Sequence, residues 1–145
     1  MHCHAGMHQK TWELQERTRN FVRSVERLSA SVPNEASAVR LARKLVVAAT
    51  AVDRGYRDVS ASRSPEDFIK GMSAVARQAK VALANLQMLL QLNHITIEAT
   101  RDLIFEARGL RAIFVASCKT ARTRQRARAL GMRAPRRADG FAQKS

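Results

Sequence analysis

Four histidines and two cysteines are the side chains here that could bind a metal or act as nucleophiles, and most of them crowd one end of the chain. His2, Cys3, His4 and His8 fall within the first eight residues. Imidazole and thiolate are the usual ligands of zinc and copper, so this segment could hold such an ion. A chain end with no surrounding groups to orient its ligands reads instead as a flexible tail, residues 1–10, and translation could even start at Met7. His94 lies between two helical patterns and reads as a solvent-facing turn residue. Cys118 has Lys119 and Arg122 beside it, the setting of a reactive thiol, yet it falls on an apolar stripe where cysteine behaves as a small hydrophobe. Cys3 and Cys118 are too few for a disulfide framework, which suits a reducing cytoplasm.

Acid and base work needs a nucleophile with a partner base, or two carboxylates sharing a site, and the helical positions offer neither. Glu98, Asp102 and Glu106 sit off the apolar stripe, and no Glu-x-x-His pair exists to build a di-metal bundle. The six glycines form neither GxGxxG nor GxxxxGK, so nucleotide binding has no support. No cofactor, no resident metal and no enzymatic activity are expected.

The charge is more informative. Lys and Arg number 26 against 12 acids, a net +14, and the pI is near 11.4. Such self-repulsion calls for a polyanionic partner, RNA or DNA first of all. No apolar run of about 18 residues and no signal-peptide core occur, so neither a membrane span nor export is expected.

The elements that must carry these charges are helices. At 46% hydrophobic residues the 145-residue chain can bury one core, and its three prolines, Pro33, Pro65 and Pro135, fall where helices break. The longest pattern spans residues 96–128. At about 100° per residue, Thr100, Leu103, Ala107, Leu110, Phe114, Cys118 and Ala121 share one face. Arg101, Arg108, Arg111, Lys119 and Arg122 lie opposite, with Ile97, Ile104 and Val115 among them. A solvated face has no reason to hold three branched aliphatics in a row, so these three are assigned to an oligomer interface.

Three shorter helices precede it. Residues 12–31 repeat Leu14, Thr18, Phe21, Val25, Leu28 and Val32 by fours and threes. Residues 35–59, capped by Asn34 or Ser37, bury Leu41, Leu45, Ala48, Ala49, Val52, Tyr56 and Val59, with Arg40, Arg43, Lys44, Arg54 and Arg57 opposite. Ser64-Pro65-Glu66-Asp67 supplies an N-cap, a first-turn proline and two carboxylates for the third helix. That helix turns Phe68, Met72, Val75, Ala79, Leu83, Leu86 and Leu90 inward and Lys70, Arg77 and Lys80 outward, and Asn93 ends it. The domain is therefore residues 11–128, an all-α four-helix bundle, followed by a disordered basic tail over residues 129–145. From Lys119 onward nine cations, among them Arg124, Arg126, Arg128, Arg133, Arg136 and Arg137, face the single anion Asp139. An arm of this kind holds phosphate backbones and reads sequence poorly.

The order of these features resembles a known family. Tyr56-Arg57-Asp58, Arg63-Ser64, Asp67-Phe68-Ile69, the leucines from 86 to 90, the run Ala112 to Ser117 and then Lys119-Thr120-Ala121 are similar to the bacterial four-helix bundle proteins encoded in intervening sequences of large ribosomal RNA genes. The accessory variability determinant (Avd) of diversity-generating retroelements is a related branch. The match covers residues 17–124 and lies in order and spacing, since each motif is a packing or capping pattern. The resemblance implies an up-down-up-down antiparallel bundle that assembles into a basic homopentameric barrel. In the retroelement branch it also implies binding to a reverse transcriptase and to nucleic acid. The chain departs from the intervening-sequence pattern at Gly55, where an Asn is usual, and at Ala76, Arg77, Gln78 and Lys80, where acids are usual. Those losses make the surface more basic.

The expected function is non-enzymatic phosphate-backbone binding with weak sequence specificity, by the cations named on the second and fourth helices and in the tail. The alternative is an adaptor whose basic surface docks a protein partner without touching nucleic acid. A small helical enzyme is the third and weakest reading.

Overall fold

The computed structural model describes residues 5–131 of the chain. His2, Cys3 and His4, the arginines Arg133, Arg136 and Arg137, and the His8 side chain lie outside what is described. Four helices follow one another: α1 (Ala5–Ala30), α2 (Ala36–Ser60), α3 (Pro65–Gln91) and α4 (Ile97–Ala129). No strand occurs among the described residues.

Local chemistry sets most of the boundaries. The Ser64 side chain accepts a hydrogen bond from the Asp67 amide at 3.0 Å, with Pro65 at the first helical position of α3. Thr96 does the same for α4 through the Ala99 amide at 3.2 Å. At the end of α3, Asn93 takes a left-handed φ of 62°. Its amide then reaches Leu90 O at 3.0 Å and the His94 amide reaches Leu89 O at 2.9 Å. This is the paired closure that an αL residue just past a helix permits, and asparagine tolerates that backbone. Gly131, at φ 73°, occupies the equivalent place after α4.

Two boundaries differ from the sequence reading. Residues 5–10, read as a tail, continue α1, because no proline or turn cluster separates them from Thr11. The N-cap of α2 is Glu35, in extended conformation and without a side-chain cap bond. Ser37 instead donates to the Glu35 carboxylate at 2.7 Å.

Each helix runs antiparallel to the next, as the cross-helix pairs show. Thr18 meets Asp53, Gly55 lies against Val75 and Gly71 against Val59, and Cys118 and Gln125 of α4 reach back to Ile69 and Glu66 near the start of α3. The two central pairs, α2 with α3 and α3 with α4, are the most closely packed, and α1 with α4 the least. The order around the bundle is thus α1, α2, α3, α4, with α2 and α4 at opposite corners. They meet only through the core, where the Tyr56 and Phe114 rings sit 5.8 Å apart at a 32° tilt.

The close approach of α2 and α3 explains two glycines. A Cβ on Gly55 would lie 2.8 Å from Val75 Cγ2, and one on Gly71 only 2.5 Å from Val59 Cγ2. The core holds most of the inward residues read from the sequence, with Leu45, Leu86, Leu110 and Phe114 among its largest fully buried side chains, and on α3 it also takes in Ala82 and Leu89, which the sequence reading did not turn inward. Leu14, Val32, Phe68, Leu83 and Leu90 pack on its edge, and Ala121 is half-buried.

Candidate nucleic-acid interface

On α4, Arg101, Arg108, Lys119 and Arg126 are exposed. Their spacings of 7, 11 and 7 residues keep them within about 20° of one line down the helix, and that line is about 38 Å long. Arg122 is exposed about 60° to one side of that line and Arg111 is half-buried further round the same side, whereas Arg124, half-buried, and Arg128, exposed, lie on the far side of the helix. Between Glu106 and the end of the described chain there are seven cations and no acid. None of the seven forms an ion pair among the described residues. Arg122 instead donates to the Ser73 hydroxyl of α3 at 3.1 Å, which leaves its charge uncompensated.

The α2 cations Arg40, Arg43, Lys44, Arg54 and Arg57 are also exposed. Their surroundings differ from those of α4. Arg57 donates to Asp53 at 2.6 Å, and the other oxygen of that carboxylate accepts from Thr18 at 2.8 Å. Arg57 is therefore half committed to a buried structural network. Because α2 and α4 stand at opposite corners, their stripes point away from one another and do not form one surface. The structure joins them only by way of α3, whose exposed Lys70, Arg77 and Lys80 lie on a stretch, residues 68–97, without an acid. The sequence reading placed these three outward but left them out of the site, although the missing acids were visible there.

Two arginines do other work. Arg17 of α1 holds Glu106 of α4 through two bonds of 3.0 and 2.9 Å. That hydrogen bonding raises its pKa above the ordinary arginine value, against the opposing effect of burial. Arg19 pairs with Glu16 one turn away at 3.3 Å. The mixed charges of α1 separate it from the basic α2, α3 and α4.

Two expectations need correction. Ile104, assigned to an exposed interface with Ile97 and Val115, is 7% exposed and belongs to the core. α4 packs between α1 and α3, so its buried arc is wider than a single stripe and takes in Ile104 at the edge. Ile97 and Val115 are exposed as expected, and the most exposed large apolar side chain among the described residues is Phe105 at 76%, which the sequence reading did not single out. His94 is not solvent-facing: its side chain is 10% exposed, with Nε2 2.8 Å from Ser37 Oγ and 3.1 Å from Glu35 Oε1. It ties the α3–α4 turn to the start of α2.

Cys118 is buried and unpaired, with Sγ 3.8 Å from Ile69 O, as a core residue would be. Among the described residues no three His, Cys, Asp or Glu side chains converge on a point that could hold a metal. None of the described helices is long and apolar enough to cross a membrane.

No protein-family model matches the chain, and no curated protein matches it. Among solved structures, its fold is similar to that of a protein of unknown function from the S23 ribosomal protein family of Bacteroides thetaiotaomicron. The TM-score is 0.67 over 73% of this chain and 98% of that one, at 16% identity. The likeness is one of fold.

Proposed function

We propose that this chain is a non-enzymatic, nucleic-acid-binding four-helix bundle that holds phosphate backbones along α4. The observation that carries the reading is the acid-free stretch of α4 after Glu106, where seven cations lie on a rigid helix with no internal ion pair to satisfy them. Charges left unpaired by the fold are available to phosphates, and the gain comes mainly from counterions released by the nucleic acid. The row presents no aromatic plane for base stacking beyond Phe105, so binding tracks the backbone and discriminates sequence weakly. The basic residues beyond Gly131, including Arg133, Arg136 and Arg137, extend the same charge.

The resemblance to the retroelement accessory proteins makes a homopentamer the expected assembly and a reverse transcriptase the expected protein partner. Exposed Ile97, Phe105 and Val115, interleaved with the α4 cations, favour a protein contact on that face as well. This is the specific support for the adaptor reading.

The direct test is ultraviolet crosslinking of the full chain to a labelled structured RNA and to duplex DNA, with crosslinked peptides located by mass spectrometry. Crosslinks concentrated on peptides from residues 101–131 support the α4 site. Crosslinks confined to α1, or none at low salt, refute it and leave the adaptor.

A further inference from the structure

We propose that the groove between α2 and α3 is a separate docking site for an amphipathic helix of another protein, one with apolar residues along one face and carboxylates beside them. The proposal stands apart from the α4 reading, because it uses different residues at a different corner of the bundle.

The groove, of about 420 Å³, has Val47 and Val81 at its centre and Arg40, Arg43 and Lys44 on its α2 rim. Val47 is 64% exposed, and Val81 and Met88 of α3 and Leu92, which caps its C-terminal end, are exposed too. These three follow one another at spacings of seven and four along α3 and its C-cap, which makes a single ridge about 16 Å long, enough for three turns of a docked helix. The antiparallel register that sets Gly55 against Val75 and Gly71 against Val59 carries the α2 cations alongside this ridge. No acid occurs in residues 36–52 of α2 or in residues 68–97, so nothing on either wall neutralises the rim.

That combination selects the occupant. A nucleic acid would satisfy the three cations but leave an apolar ridge against phosphate and sugar, with no aromatic side chain in the groove to stack on a base. A second copy of this chain carries net +14 and meets the rim with like charge on most faces. The exposed α4 patch around Phe105 mixes Glu98 and Asp102 with Arg101 and Arg108, so it is not acidic enough to complement the rim. An acidic amphipathic helix matches both the ridge and its border.

The probe is a fluorescein-labelled designed helix with leucines on one face and glutamates flanking them, titrated with the full chain at physiological salt. Two control peptides replace the leucines by serine or the glutamates by lysine. The glutamate–leucine peptide is expected to bind roughly tenfold or more tighter than either control. A Val47→Ser, Val81→Ser double variant, altered only at exposed positions, should lose roughly tenfold in peptide affinity and retain its affinity for RNA. Arg43→Ala with Lys44→Ala should lose a similar factor, and circular dichroism should show both variants folded. The proposal is overturned if the serine peptide binds equally well, or if neither variant weakens the glutamate–leucine peptide. It is also overturned if Val47→Ser, Val81→Ser lowers the mass in light scattering, since a second copy would then be what covers the groove.

Discussion

A Cβ at Gly71 would press on Val59 Cγ2 from 2.5 Å, and Val59 is a β-branched residue with little freedom to turn away. Gly71→Ala should therefore destabilise the bundle by about 1–3 kcal/mol of overpacking, more than the ~1 kcal/mol that alanine gains in helix propensity. At Gly109 the nearest atom is Arg17 Nη2 at 3.5 Å, an ordinary contact, so Gly109→Ala should stabilise by about 0.5–1 kcal/mol. Urea midpoints that moved in the same direction for both would contradict this packing. Asp53→Ala removes the acceptor of Thr18 and Arg57 and should lose about 1–3 kcal/mol in the same assay. Burial, opposed by hydrogen bonds with Ser60 and Thr11, raises the Tyr56 pKa above its ordinary value of 10.0. Below that value both states keep the phenolic proton. Above it the unfolded chain ionises first, so stability falls as pH rises through the folded-state pKa. Tyr56 is the only tyrosine, so the tyrosinate absorbance reports it alone, and its midpoint should lie above 10.0. At this scale the sequence was legible wherever a side chain followed a period. His94 escaped it because its burial comes from a turn folding back on α2, and the Gly55 and Gly71 contacts escaped because a missing Cβ leaves no periodic mark.

The helices themselves were readable because their ends carry side-chain chemistry. Ser64, Pro65, Thr96 and Asn93 each act within one turn of their own position, and Ser64→Ala should lower stability by about 1 kcal/mol through loss of the cap bond. The starts of α1 and α2 lack such a signal: α1 has no acid in its first turn and Glu35 makes no side-chain cap bond. The α4 wheel showed the stripe but not its width, which depends on how deeply the helix sits between α1 and α3, and this is why Ile104 belongs to the core. The proposed subunit interface on α4 is therefore tested with Phe105→Glu and Val115→Glu, both at exposed positions, whereas Ile104→Glu would disrupt the core itself. If the row packs on a neighbour, light scattering should show the double variant at monomer mass with its helicity kept. An unchanged mass would refute that interface. The Arg17–Glu106 pair contributes little to joining α1 and α4, since both side chains are about a third or more open to solvent and salt.

Across the whole molecule the charge is unevenly placed. α1 mixes signs, whereas α2, α3 and α4 present long acid-free stretches, and the net +14 is largely theirs and that of the residues beyond. Composition made the excess of charge plain. It could not show that the α2 and α4 stripes stand at opposite corners, because that follows from which helices pack together. The distinction matters to function, since one straight duplex can engage only one of the two corners of a subunit. The decisive measurement is fluorescence anisotropy of a labelled structured RNA and of duplex DNA over a range of salt concentrations. It compares the unaltered chain with a variant carrying Lys119→Ala, Arg122→Ala, Arg126→Ala and Arg128→Ala, at exposed positions where alanine keeps the helix. If α4 holds the backbone, binding is tight at low salt, and the variant's log–log salt slope is shallower by about 0.7–0.9 for each phosphate it no longer neutralises. Equal affinity and equal slope for the two proteins, or no binding at low salt, would contradict the account.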